Sequence, residues 1–190
     1  MKEKKFSTYQ IVFVAVMAAI VCVVTFFRFP FLGSKVHFAN AMCLLSGMLF
    51  GPMLGGLAAG FGSMLYDALF GGYDLINCLI TFVSKFLMAA ICAWIAFGGK
   101  EGSKAKHARL VAGSIIGALS YVALYMLKTY IFQRFVHGYP MDAVLVTMGG
   151  KLPASLINAV FAMIVAPILY AAIAPALNRK GLLEKLRNQK

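Results

Sequence analysis

Apolar runs of helical length, broken by short polar turns, set the layout of this 190-residue chain. The runs lack the alternating ~10-residue segments of a transmembrane barrel. A helix needs about 20 apolar residues to cross a bilayer. On that measure the chain divides into six spans, at about 8–27, 36–50, 53–70, 75–97, 110–135 and 148–177. The second is short. Arg28, Pro30, Gly33 and Lys35 break the first run from the second, and Gly51-Pro52 makes a tight turn after it. Gly71-Gly72-Tyr73-Asp74 and His137-Gly138-Tyr139-Pro140 mark the later breaks. Residues 141–147 are either loop or a short helix leading into the last span. The expected fold is all-α: one integral membrane domain over residues 1–190 with six transmembrane helices.

Composition agrees. Hydrophobic residues make up 62% of the chain, charged residues 13%, and the mean hydropathy is +0.85. A soluble domain is about a quarter charged. The basic start followed by an apolar run resembles a signal peptide. The run is long, however, and has no small-x-small cleavage site after it, so it is read as a retained first span.

Charge then sets the orientation. Twelve of the eighteen Lys and Arg residues fall in three clusters: Lys2, Lys4 and Lys5; Lys100, Lys104, Lys106 and Arg109; and Arg179, Lys180, Lys185, Arg187 and Lys190. Basic residues collect on the cytoplasmic side of membrane proteins. Six spans place all three clusters on that side, with both termini cytoplasmic. The net charge of +12 is thereby explained by the positive-inside distribution and anionic lipid, and does not point to nucleic acid.

Six basic residues are left over, and they lie in or beside the hydrocarbon. Ionisable groups there usually face a cavity or a partner. Asp67, Lys85, Lys128 and Lys151 stand out, in the outer half or near mid-depth of their spans. That arrangement fits a polar cavity opening outward. Asn40, Tyr66, Asn77, Tyr121, Tyr125 and Asn158 are the polar and aromatic groups expected around them. Tyr125 and Lys128 share a helix face, as do Lys151, Ser155 and Asn158. Asp67 and Lys85 are expected to pair between the third and fourth spans. Arg28, Lys35, Arg134 and His137 are read as interfacial. A ligand suited to this set is small, planar and polar, neutral or anionic. The candidate ligand-binding residues are therefore Asn40, Tyr66, Asp67, Asn77, Lys85, Tyr125, Lys128, Lys151 and Asn158.

Catalytic patterns are missing. There is no Ser-His-Asp or Cys-His arrangement, no paired carboxylates, no metal-ligand spacing and no ATP-binding motif. Three of the six acids, Glu3, Glu101 and Glu184, fall in the cytoplasmic segments. Cys22, Cys43, Cys78 and Cys92 sit inside apolar runs and read as small buried hydrophobes. The sequence argues for binding, with no cofactor or metal in this chain. Gly51 and Gly55, and Gly56 and Gly60, recur at the spacing that lets helices approach closely in lipid. Ala15 and Ala19, with Ala18 adjacent, form a small-residue face on the first span, suited to internal packing or to a partner helix.

Val36-His37-Phe38-Ala39-Asn40, the run from Phe50-Gly51-Pro52 through Gly62-Ser63, Asp67, Gly72-Tyr73 and the Lys85 region resemble the substrate-binding S components of energy-coupling factor (ECF) vitamin transporters. The Ala15/Ala19 pair is similar to the small-residue signature of that family's first helix. The resemblance covers most of the chain. It implies a six-helix protein that binds a vitamin or related micronutrient in an outward-facing pocket, under the 28–35 loop. It implies docking through helix one (Ala15, Ala18 and Ala19) on a membrane-embedded coupling protein. Two partner ATPases drive that protein, using ATP and Mg. The resemblance further implies a multi-pass protein of the bacterial plasma membrane. Its substrate would be a small N-heterocycle: pyridoxine, hydroxymethylpyrimidine, riboflavin or a queuine-like base. Two other classes are a stand-alone secondary transporter of a small polar solute, or a channel, and a small membrane enzyme acting on lipids or prenyl groups. The latter lacks an acidic metal site, because Asp67, Asp74 and Asp142 are scattered.

Overall fold

The structure, a computed structural model, describes residues 7–31, 34–98, 106–179 and 181–183. Most of the three basic clusters lies outside these residues; Lys106, Arg109 and Arg179 lie within them. Five helical stretches among the described residues are long and apolar enough to cross a membrane: Thr8–Phe26, Ala39–Gly71, Leu75–Phe97, His107–Val136 and Met141–Arg179. Within them the regular helices are α1 (Thr8–Phe26), α2 (Ala39–Tyr66), α3 (Leu75–Phe97), α4 (His107–Ile131) and α5 (Met141–Arg179). Ser7 starts α1 with a reciprocal cap: its side chain accepts from the helix backbone, and the Gln10 side chain accepts from the Ser7 amide.

The second and third apolar runs form one hydrogen-bonded element, α2, which folds back on itself. A straight helix would set Cys43 and Ser63 about 30 Å apart; here Sγ and Oγ are 3.8 Å apart. The reversal occurs at Gly51, whose φ of 83° is easy only for glycine, and Pro52 begins the second arm. Ser46 Oγ donates to the Gly55 carbonyl at 2.8 Å across the bend. A Cβ on Gly55 would lie 2.5 Å from Gly47 Cα, so the arms touch backbone to backbone. Gly56 and Gly60 receive the Phe86 and Phe82 rings of α3. The spacing legible in the sequence is thus a packing surface for α3.

Two further features depart from the sequence reading. The chain is not wholly helical: Arg28–Phe31 (β1) and Ser34–His37 (β2) form an antiparallel hairpin, with Arg28 opposite His37 and Pro30 opposite Lys35. The last helix starts at Met141, seven residues before the expected 148. Pro140 precedes it and Asp142 lies in its first turn, both favourable at a helix N-terminus. The block 141–147 is therefore helix.

Leu44, Met48, Met88 and Val21 are fully buried and form the apolar centre, with Cys43 and Cys92 between them. All four cysteines are buried free thiols. The elements alternate in direction. The hairpin, both ends of α2, the start of α3, the end of α4 and the start of α5 therefore gather at one end of the bundle. The Gly51 bend, residue 98, residue 106 and residue 179 gather at the other.

Candidate functional site

A cavity of about 380 Å³ opens at the hairpin end. All nine candidate ligand residues line it: Asn40, Tyr66, Asp67, Asn77, Lys85, Tyr125, Lys128, Lys151 and Asn158. Five of the six basic residues left over by the charge clusters also line it: Arg28, Lys35, Lys85, Lys128 and Lys151. The sixth, Arg134, instead donates from a guanidinium nitrogen to the Tyr139 carbonyl at 3.1 Å. Arg28 and Lys35, read from sequence as interfacial, thus belong to the cavity.

Local backbone explains much of this convergence. Alternation along β1 and β2 puts Arg28, Lys35 and His37 on one face of the hairpin, and all three line the cavity. Two π-helical turns flank it, Asp67–Gly71 after α2 and Phe132–Val136 after α4. Such turns are concentrated at functional sites. Here they carry the cavity residues Asp67, Phe132 and Gln133.

At the floor, Lys85 and Asn40 are both almost fully buried. The Lys85 ammonium donates to the Asn40 side-chain oxygen, and its Nζ sits 3.7 Å from the Tyr121 ring centroid. This corrects the expected Asp67–Lys85 pair. The neighbouring arm of α2 supplies an amide oxygen and α4 supplies a ring face, so Lys85 is satisfied without a carboxylate. Below it lie Leu44, Met48 and Met88; the cavity ends on apolar core.

Higher up, cations meet aromatic faces. Arg28 lies 4.9 Å over Tyr66, Lys128 5.7 Å from Phe132 and Lys151 5.9 Å from Tyr125. Tyr121 and Tyr125 stack at 6.3 Å and 20°. Two enclosed polar atoms, His37 Nδ1 and Gln133 Oε1, have no hydrogen-bond partner among the described residues. His37 was in the motif that carried the resemblance but not among the expected ligand residues; nothing in the sequence pointed to Gln133.

Two candidate ligand residues have structural work as well. The Asn77 side chain donates to the Asp74 carboxylate at the start of α3. That hydrogen bond holds the Asp74 carboxyl below the usual carboxylate range. Asn158 bridges α5 to the hairpin: its Oδ1 accepts from the His37 amide at 2.8 Å, and its Nδ2 donates to the Lys35 carbonyl at 2.9 Å. The side-chain amide thus mimics a neighbouring strand. We expect Asn158→Ala to release the hairpin and speed ligand dissociation about thirtyfold, since two lost hydrogen bonds at about 1 kcal/mol each total about 2 kcal/mol. Stopped-flow measurement of the off-rate checks this; an unchanged rate would show the hairpin is held by other contacts.

Burial, then the charges of Lys85 and Arg28, lower the His37 pKa from 6.5 to about 3. Above pH 6.5 it is neutral in folded and unfolded chains alike. Between about pH 6.5 and 3 only the unfolded chain gains the proton, so stability falls as pH falls, by up to about 1.4 kcal/mol per pH unit. Melting temperatures across pH 4–7 should fall less steeply for His37→Gln than for the native chain. Parallel curves would show that His37 does not set this slope.

On α1, Ala15 and Ala19 lie on an exposed face with Ile11, Val12, Val16 and Ile20. Ala18 does not share it. It is buried, and its carbonyl packs where a Gly62 Cβ would stand, 2.4 Å away. Ala18 therefore belongs to internal packing against α2, about 100° of helix rotation away from the face of Ala19.

A curated protein of Pyrococcus woesei, an uncharacterized protein in a gap 3′ region, is 31% identical over 106 residues, 55% of this chain and 66% of the relative. The match thus spans just under two thirds of that relative's length. The fold is similar to a solved S component of a bacterial ECF transporter, with a TM-score of 0.62 at 22% identity, covering 88% of this chain and 96% of that one. The family model for the ECF-type riboflavin transporter S component matches residues 5–175. That match takes in nearly all the helices and every residue lining the cavity, and by it the chain belongs to the family of ECF transporter S components, multi-pass membrane proteins that are transport components and not enzymes.

Proposed function

We propose that the cavity binds a small vitamin or related N-heterocycle and that this chain delivers it across the bacterial plasma membrane by docking on an ECF module. The candidate substrates are pyridoxine, hydroxymethylpyrimidine, riboflavin and queuine-like bases. The observation that carries the reading is the convergence of five membrane-embedded or interfacial cations with tyrosines on a cavity floored by apolar core. A floored pocket holds a ligand; it does not conduct one.

In this reading α2 crosses twice by reversing at Gly51, which gives six passes. The termini and the central loop face the cytoplasm, and the cavity faces out. The hairpin covers the bound ligand. The exposed α1 face with Ala15 and Ala19 meets the coupling protein, and two partner ATPases hydrolyse ATP with Mg. The chain itself holds no cofactor.

Proteoliposomes test this against a stand-alone secondary transporter. We expect uptake of the bound ligand only when coupling protein, both ATPases and internal ATP are present. Uptake by the chain alone, driven by an ion gradient, would establish the secondary transporter instead.

A further inference from the structure

We propose that the ligand of this cavity is a planar ring bearing an anionic group, a carboxylate or a phosphate monoester, and not a neutral or cationic heterocycle. The proposal rests on the S-component reading and moves its substrate class from the four candidates named above, none of which carries a negative charge, to ring compounds that do.

Arg28, Lys35, Lys85, Lys128 and Lys151 line the cavity, and Asp67 is the one carboxylate among its described lining residues. That leaves an excess of four positive charges. Charges near a bilayer core are usually compensated, because each uncompensated one costs several kcal/mol. Lys85 is partly compensated by the Asn40 oxygen and the Tyr121 face. Lys128, from α4, shares the single lining carboxylate, Asp67, and lies near the Phe132 face, whereas Lys151, from α5, has the Tyr125 face as its contact among the described residues. Arg28 likewise sits over a ring, that of Tyr66. A ring face offers a cation less than a carboxylate does. A neutral ligand would leave the excess in place, and a cationic one would enlarge it. An anion removes part of it and gains charge-assisted hydrogen bonds.

The planar part follows from the rings. Tyr121 and Tyr125 stack in parallel along one side, a surface that a flat heterocycle extends. The two unpartnered atoms, His37 Nδ1 and Gln133 Oε1, define where the ring's polar edge belongs. Gln133 Oε1 accepts, so the ligand presents an N–H or O–H there. His37 remains neutral at physiological pH and so hydrogen-bonds without adding charge.

Matched pairs that share a ring test the charge directly. The full chain in detergent is titrated by calorimetry with pyridine-3-carboxylate and its carboxamide, pyridoxine 5′-phosphate and pyridoxine, and riboflavin 5′-phosphate and riboflavin. We expect the anionic member to bind at least about tenfold tighter in the pair whose ring fits, with a thermal shift to match. Lys128→Met and Lys151→Met should each weaken the anion at least about tenfold more than they weaken its neutral partner. These variants remove a repelled charge, so folding should be retained or improved. Equal or tighter binding of the neutral member in every pair that binds overturns the proposal and leaves the S-component reading intact. Anion binding that follows inorganic phosphate alone, with no gain from any ring, overturns it as well. Binding of none of the six overturns the anionic-ring assignment, and the S-component reading then stands or falls on the ATP-driven uptake assay above.

Discussion

Replacing Asn40 with leucine is expected to destabilise the protein by about 3 kcal/mol or more. The cause is the ammonium it leaves behind. Lys85 is 3% exposed and the Asn40 oxygen accepts its hydrogen bond. Hydrogen bonds to charged groups are worth about 1.5–3 kcal/mol, and a buried charge left without its partner costs more. Lys85→Met should cost much less, since the neutral Asn40 amide is the cheaper group to leave unsatisfied. The double change Asn40→Leu/Lys85→Met should recover most of the lost stability, for nothing charged remains. Melting temperatures of the four proteins give this cycle. If the double variant is as unstable as Asn40→Leu alone, the residue matters for packing and not for Lys85. Ligand affinity separates a second role. If Lys85 touches the ligand, the double variant folds but binds at least about tenfold more weakly.

The second large effect is expected on the opposite side of the molecule's work. Ala15→Trp/Ala19→Trp should reduce ATP-driven uptake by about a hundredfold or more while leaving ligand affinity unchanged. Both alanines are exposed on α1, and the hydrophobic window of that helix is only 28% buried within the chain. Small residues permit helices to approach closely in lipid, and two indoles would hold a partner away. Ala18→Trp should behave differently. Its backbone packs on α2 at Gly62, so overpacking there should lower stability and binding together. Uptake that survives the double tryptophan variant would move the docking surface off this face.

These two sites show what a sequence can and cannot disclose. Lys85, Lys128 and Lys151 were legible because charge within hydrocarbon is anomalous at the level of composition. Once topology accounted for twelve basic residues, the remainder pointed to a cavity. Helical spacing then placed Tyr125 with Lys128, and Lys151 with Asn158, and both pairs line it. The partner of Lys85 was not legible. Which of Asp67 and Asn40 reaches it depends on the rotation of two α2 arms about their axes, and a hydropathy run carries no such angle. The hairpin was hidden for a similar reason. Each strand has four residues, and one contains Pro30, so no alternation long enough to recognise exists. With the hairpin unseen, the cavity roles of Arg28 and His37 went unseen too. Ala18 was misplaced because adjacent helical residues point about 100° apart, so proximity to Ala19 in sequence put it on another face. The early start of α5 did leave a signal, Pro140 followed by Asp142.

Native mass spectrometry of the full chain, purified in detergent from cells grown in rich medium, tests the central claim most directly. The account predicts one small heterocyclic molecule bound per chain. Mild collisional activation should release it, and it should be absent from Asn40→Leu/Lys85→Met. A chain found only at its own mass of 20.6 kDa, and unshifted in melting temperature by a panel of vitamins and bases, would contradict it.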